Sequence, residues 1–252
     1  MIRIGTAGWT IPKQHAAGFP ADGTHLHRYA RRMHAVEINS SFYRPHQPAT
    51  YARWAASVPP DFRFAVKIPR EITHVRKLVS ATDVLDRFLS EVAALGDRRG
   101  PLLVQLPPSL RFDPSVAGAF FDAFRAHFDG LVVCEPRHAS WFTAPAEALL
   151  SAHEIARAAA DPAPAPVACR PGGWSGLEYR RLHGSPRMYY SAYSAERLDE
   201  TANLMRLTAN TAQESWCIFD NTALGEATSD AIGLWRRISR HDYGEGTGSD
   251  DE

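Results

Sequence analysis

Four ionisable residues far apart in order, Glu37, Lys67, Glu135 and His183, each sit at or near the end of a run of β-forming residues. In "VEINSSFY" (36–43), Glu37 and Asn39 interrupt an otherwise apolar stretch. A carboxylate buried without a partner costs several kcal/mol or takes up a proton, so this placement predicts a polar pocket. "RFAVKI" from Arg63 carries Lys67, "LVVCEPR" from Leu131 carries Glu135 and Arg137, and "EYRRLHG" from Glu178 carries Arg181 and His183. Gln105, Asp161 and Asp220 lie near the ends of three further runs. Side chains alternate faces along a strand. Glu37 thus shares a face with Asn39, Glu135 with Arg137, and Tyr179 with Arg181 and His183, each set opposed to apolar neighbours such as Val36, Cys134 and Leu182.

Carboxylates interleaved with cations suit acid–base chemistry on a charged substrate. Glu37, Lys67, Glu135 and His183 are the candidate catalytic groups. Lys67 would tune the carboxylates or hold an oxyanion, or form a Schiff base if its pKa is depressed. The candidate substrate-binding set is Asn39, Tyr43, His74, Gln105, Arg137, His138, Trp141, Asp161, Arg181, Asp220 and Asn221. Within it Arg137 and Arg181 would grip a phosphate or carboxylate, and Trp141 would stack a ring. The segments "LHGSP" and "DNTALGEATSDA" are candidates for a backbone anion site at a helix start.

Two other readings compete. Glu37, Glu135, Asp161 and His183, with Asp220 as a further ligand, offer hard oxygen and imidazole groups to a divalent metal in a phosphodiesterase or sugar isomerase. Lys67, Arg137 and Arg181 would repel a dication, and no H-E-x-x-H pattern occurs, so no metal and no cofactor are assigned. Alternatively, Arg137, Arg181, Trp141 and Tyr43 would bind a nucleotide or nucleic acid without chemistry. Lys+Arg and Asp+Glu are 28 each, and that neutral balance weakens the nucleic-acid version. The expected partner is a small anionic or sugar-like ligand.

The elements that must position these groups alternate. Eight β-rich runs begin near Ile2, Ala35, Arg63, Pro101, Leu131, Ile155, Glu178 and Ser215, separated mostly by segments of helical period. Pro48 suits a first helical position, and Asp113-Pro114 reads as N-cap and N1. Thr82 and Ser194 are further expected caps. This rhythm over 252 residues predicts a TIM-type (β/α)8 barrel, with a doubly wound open sheet as the alternative. Its active end is the C-terminal face, where the polar residues gather. One connection is irregular: "DPAPAPVACRPGGWSG" (161–176) cannot form an ordinary helix, and either leans over the mouth or shortens the link. Residues 1–240 are expected to form one domain, and 241–252 an acidic, disordered tail.

Cys134 and Cys217 lie in apolar runs and read as small buried hydrophobes, while Cys169 lies in the irregular loop. No apolar run reaches the ~18 residues of a membrane span, and "MIRIGTAGW" lacks a secretory pattern. A cytoplasmic protein is expected.

The pieces "GTAGW", "VEINSSFYRP", "FRFAVKIPREITH", "LLVQLPPSLRFD", "CEPRHASWF", "YRRLHG" and "FDNTALGEATSDA", in this order from Gly5 to Ala231, resemble the YecE-like family, domain of unknown function 72. The resemblance implies a TIM-type barrel, akin by analogy to sugar isomerases and endonuclease IV, and no settled reaction. The chain departs from the family pattern at Asp220, where Asn is usual, and at Thr10, where Tyr usually follows Gly-Trp.

Overall fold

The computed structural model describes residues 1–208 and 212–242. Strands β1 (Ile2–Ala7), β2 (Ala35–Ile38), β3 (Arg63–Lys67), β4 (Arg99–Gln105), β5 (Val132–Glu135), β6 (Ile155–Arg157), β7 (Ala159–Asp161), β8 (Gly172–Gly173), β9 (Leu177–Leu182) and β10 (Glu214–Phe219) belong to one sheet. Their order is β7-β9-β10-β1-β2-β3-β4-β5-β6-β8, and every pairing is parallel except β6 with β8. β6 and β7 are one stave interrupted at Ala158, whose N–H donates to the Cys134 carbonyl at 2.8 Å. Its first half pairs with β5 and its second with β9, which closes the sheet. All eight expected runs are staves of this barrel.

Helices α1 (His25–Ala30), α2 (Ser40–Tyr43), α3 (Pro48–Ala56), α4 (Thr82–Val92), α5 (Pro114–His127), α6 (Ala144–Ala152), α7 (Ala195–Thr208) and α8 (Glu226–Asp242) lie in the connections. Local chemistry explains several starts. Asp113 Oδ1 accepts from the N–H groups of Ser115 and Val116 at 2.9 and 3.1 Å, and Ser194 Oγ accepts from Arg197 N–H at 3.2 Å. Pro48 stands at the start of α3 as expected. Thr82 does not cap α4: it is the first helical residue, and Ala81 holds the cap position without a side-chain bond. The apolar stripe of α4, with Val84, Leu85, Phe88, Leu89 and Val92, is buried. α8 extends to Asp242, past the expected boundary at 240, and the rest of the expected tail lies outside the described residues.

The irregular connection runs down the outside of the barrel instead of over its mouth. β8 pairs antiparallel with β6, Gly172 opposite Arg157 and Gly173 opposite Ala156. Glu147 of α6 anchors it by accepting from Gly173 N–H at 2.6 Å while also pairing with Arg157. A run rich in Pro and Gly thus takes the place of a helix.

Val36, Ile38, Phe64, Val66, Leu102, Val104, Val132 and Cys134 face the helices in one large apolar layer. The inward parity is itself split by depth. Ala35, Ala65, Leu103, Val133, Ala156, Ala158, Leu177, Tyr179, Trp216 and Ile218 form an apolar plug inside the barrel. The plug uses small residues on β2 and β3 against Tyr179 and Trp216, whose rings stack at 5.9 Å. At Gly5 even a methyl group would lie 2.1 Å from the Ala35 carbonyl oxygen, so β1 and β2 approach there only without a side chain. The polar residues occupy the level above the plug, at the strand C-termini.

Candidate functional site

Arg181 is the hub of that upper level. Its Nε donates to Glu37 Oε2 at 3.0 Å and Nη2 to Glu37 Oε1 at 2.6 Å. Nη1 donates to Glu135 Oε2 at 2.6 Å, and Nη2 also reaches Asp220 Oδ2 at 3.0 Å. Tyr179 OH adds a bond to Glu37 Oε2 at 2.8 Å. Inward parity from β2, β5, β9 and the end of β10 brings these groups together, as the alternation predicts. Glu37, Glu135 and Arg181 are all at most 1% exposed, so they hold one another instead of meeting solvent. Burial alone would raise the Glu135 carboxyl, but Arg181 and Arg137 hold it well below the usual carboxylate range. Burial would likewise lower the Arg181 guanidinium, and Glu135, Glu37 and Asp220 overcome it. Such a cluster is tolerable only because every charge has a close partner.

His183, also buried, links this hub to the mouth. Its Nδ1 lies 3.1 Å from Asp220 Oδ2, while Nε2 lies 2.8 Å from Arg137 Nη2 and 3.2 Å from Glu135 Oε1. A guanidinium can only donate, so the neutral tautomer that satisfies Arg137 and Asp220 carries its proton on Nδ1. Arg137 also pairs with Glu135. The side chains of Arg137 and Asp220 remain 10% and 16% exposed, which puts them between the buried hub and solvent. Burial would raise Asp220, yet Arg181 and His183 hold it below its ordinary value.

Lys67 ends β3 beside this set. Its Nζ sits 4.0 Å from the centre of the Phe42 ring, and among the described residues it makes no hydrogen bond or ion pair. Burial, then repulsion from Arg181, pull its pKa down to about 8 against the opposing attraction of Glu37, Glu135 and Asp220. His74 meets the other side of this corner: its ring is edge-on to Phe42 at 4.9 Å, and Nδ1 contacts Thr73 Oγ1 at 2.8 Å. Burial, helped by Lys67 and Arg70, lowers the His74 pKa. Asn39 and Gln105 are half-buried at the ends of β2 and β4. Asn39 Oδ1 and Arg137 Nε are buried without a hydrogen-bond partner, an acceptor and a donor left open.

Several candidates stand elsewhere. Trp141 is 1% exposed, donates from Nε1 to the Leu110 carbonyl at 3.0 Å and packs on Phe112, so no ligand can stack on it. Asn221 is buried and gives its Nδ2 to Ser191 O at 2.9 Å and Asp230 Oδ2 at 2.7 Å. It ties a loop to α8, while its Oδ1 is buried without a hydrogen-bond partner. Asp161 has the outward parity of its stave and pairs with Arg197 of α7 at 3.5 Å. It lines an outer-wall cavity of about 590 Å³, bordered by Cys169, Arg180 and Leu182, where the missing helix would have packed. Nδ1 of His138 accepts from Ser140 N–H at 3.1 Å and so caps its own turn. Tyr43 is 75% exposed and leans edge-on against Phe42 at 5.0 Å. In the segments of the expected anion nest several donors are spent internally: Gly184 N–H donates to Tyr193 OH, and the N–H groups of Ala227 and Thr228 donate to the Asn221 and Gly225 carbonyls.

Three contributors are not among the candidates that the sequence offers. Parity already puts Tyr179 on the inward face with Arg181, but does not mark it as a partner of Glu37. Phe42 and Tyr189 carry no such signal. Tyr189 stands edge-on to His183 at 5.8 Å and takes a left-handed φ of 69°, which only tertiary structure reveals. Among the described residues, no group of three or more His, Cys, Asp or Glu is arranged to hold a metal ion. No helix among them is long and apolar enough to cross a membrane.

A closed β/α barrel with a self-compensating ionic hub beneath its C-terminal mouth is the class of protein that fold and site define. The chain belongs to the family described as "Protein of unknown function DUF72", whose sequence profile matches residues 3–248, in keeping with the resemblance seen in its motifs. UPF0759 protein YecE of Escherichia coli (strain K12) is 34% identical over 145 residues, 56% of this chain and 50% of that protein. UPF0759 protein YunF of Bacillus subtilis (strain 168) is 28% identical over 156 residues, 58% of this chain and 54% of that protein. The chain spans about half the length of these curated relatives. Among solved structures, a DUF72 family protein of Enterococcus faecalis superposes with a TM-score of 0.80 at 20% identity, covering 95% of this chain and 96% of the other. A DUF72 family protein of Thermotoga maritima gives 0.79 at 21%, covering 95% and 99%. D-psicose 3-epimerase, solved in the presence of D-fructose, gives 0.50 at 11%, covering 87% and 91%. At these identities the likeness to solved structures concerns the barrel alone.

Proposed function

We propose that the chain is a metal-independent acid/base enzyme acting on a small anionic or sugar-like substrate at the C-terminal mouth of its barrel. One observation carries this reading: Lys67, Arg137, Asp220 and His183, from four different staves, meet above a hub whose charges are already matched. A purely structural network would end with the Arg181–Glu37–Glu135 set. Burial divides the roles. Glu37 and Glu135 orient Arg181 and set the field, while Lys67 and the His183–Asp220 pair exchange protons with the substrate. Arg137 faces an anionic group, and the open donor on Arg137 and acceptor on Asn39 suit a ligand rich in hydroxyls.

This assignment favours an enzyme over a stacking binder, because Trp141 is committed to the core. It favours metal-free chemistry because Lys67 and Arg137 stand at the mouth and the carboxylates beneath them are already held by Arg181. The test is a thermal-shift screen of phosphorylated and carboxylated sugars on wild type and on Arg137→Ala. Stabilisation of wild type by members of this class, lost in the variant, is the expected result. A screen in which only divalent metals or oligonucleotides stabilise the protein would overturn it.

A further inference from the structure

Lysine is rare in this chain. Of 28 Lys and Arg residues only Lys13, Lys67 and Lys77 are lysine. Lys13 and Lys77 are exposed, whereas Lys67 alone occupies an inward position in the barrel. In a chain that otherwise supplies positive charge as arginine, the difference has a chemical meaning. A guanidinium stays protonated at any ordinary pH, but an amine can lose its proton and become a nucleophile.

The surroundings of Lys67 match that use. The carboxylates that would fix it as a permanent cation are engaged elsewhere. Glu37 is taken by Arg181 and Tyr179, Glu135 by Arg181 and Arg137, and Asp220 by Arg181 and His183. Nζ instead lies against the Phe42 ring at 4.0 Å. Partial burial and the Arg181 charge both favour its neutral form. The ring attracts an ammonium less strongly than a carboxylate would, and a partly desolvated lysine beside another cation is an arrangement that activates amine nucleophiles.

We propose that Lys67 condenses covalently with the carbonyl carbon of a small hydroxylated aldehyde or ketone that also bears a phosphate or carboxylate. This rests on the acid/base reading above and names its substrate class. The Nζ lone pair forms the new C–N bond while the carbonyl π pair moves to oxygen. The oxygen takes a proton, the nitrogen releases one, and a further protonation at oxygen expels water. The product is a protonated imine, with no oxidant or reductant needed. The imine draws electrons from the adjacent carbon, and the His183–Asp220 pair is the acid/base couple available to move a proton there. Arg137 holds the anionic end.

Borohydride trapping tests this on the full chain. The protein is incubated with dihydroxyacetone phosphate near neutral pH, reduced, digested and mapped at all three lysines. The expected result is an adduct on Lys67, with a mass increment equal to the probe less one oxygen atom. It should exceed labelling of Lys13 and Lys77 by about tenfold or more and be absent from Lys67→Met. Circular dichroism confirms that the variant is folded, and the internal comparison with Lys13 and Lys77 needs no variant at all. Even labelling of the three lysines, or none at Lys67, overturns the proposal. Glycerol 3-phosphate, which has no carbonyl, separates the two claims. If it stabilises the protein while Lys67 stays unlabelled, the imine fails and the acid/base reading stands. If it does not stabilise the protein and Lys67 is unlabelled, both fail.

Discussion

Arg181 clasps Glu37 through two hydrogen bonds of 3.0 and 2.6 Å, joining β9 to β2 through the interior of the barrel. Both residues are buried, at 1% and 0% exposure. Bidentate geometry of this kind lets a guanidinium and a carboxylate replace most of the hydration each has lost. The pair's net contribution over an apolar substitute is small, but breaking it strands a charge.

Arg181→Met therefore strands Glu37 and removes a partner of Glu135, at an expected cost of about 3–5 kcal/mol in urea unfolding. Adding Glu37→Gln to that variant should recover part of the loss, because the amide tolerates burial better than an unpaired carboxylate. A double variant no more stable than Arg181→Met would show that the two residues are not coupled.

Acid stability follows from Glu135. Its folded-state pKa is depressed below the ordinary 4.5, despite burial, by Arg181 and Arg137. The unfolded chain then binds more protons in that range, so this contribution is present above about pH 4.5 and is lost as pH falls through the folded value. Glu135→Gln should be less stable than wild type near pH 7, with the difference shrinking on acidification. Denaturant unfolding over a pH series checks this, and a difference that grows toward low pH would contradict it.

Much of this site is legible in strand parity alone. Glu37, Glu135, Arg181 and His183 converge because period-2 alternation on parallel staves leaves little freedom in where their side chains point. The irregular connection is legible too, since Pro and Gly forbid an ordinary helix. Two things are not. Depth is hidden: alternation separates in from out, but does not say that Glu37 lies in a sealed layer while Lys67, two residues from Ala65 on its own stave, reaches the mouth. Residues just past a strand end are also hidden. Asn221 sits where the chain turns after β10, and its orientation depends on Asp230 of α8. Asp161 ends a stave interrupted at Ala158, so its outward side emerges only once β6 and β7 are joined.

Asn221 shows the consequence. Its Nδ2 holds Ser191 O and Asp230 Oδ2, and Tyr193 N–H shares the same Asp230 oxygen at 3.1 Å. Asn221→Ala leaves buried polar groups short of a partner and should cost about 1–3 kcal/mol. Because Asn221 faces α8 and not the mouth, ligand-induced stabilisation should keep its magnitude. Loss of ligand response at unchanged stability would return Asn221 to the binding site.

Lys67 should show the reverse relation between stability and function. Its pKa falls from 10.5 to about 8 on folding, chiefly through burial and then through Arg181. Between those values the unfolded chain binds more protons, so native stability rises as pH climbs through that window. Below about pH 8 the penalty for burying the charged amine is fully present. Lys67→Met removes that penalty and keeps an apolar contact for Phe42, so the variant should gain about 1–3 kcal/mol near neutral pH. The gain should shrink as the pH approaches 10. A residue that destabilises the native state at working pH persists where its chemistry is used, so stabilisation in Lys67→Met should come with loss of the borohydride adduct. A variant that is less stable than wild type at neutral pH, with the gap unchanged at high pH, would mean that the amine is a settled structural cation.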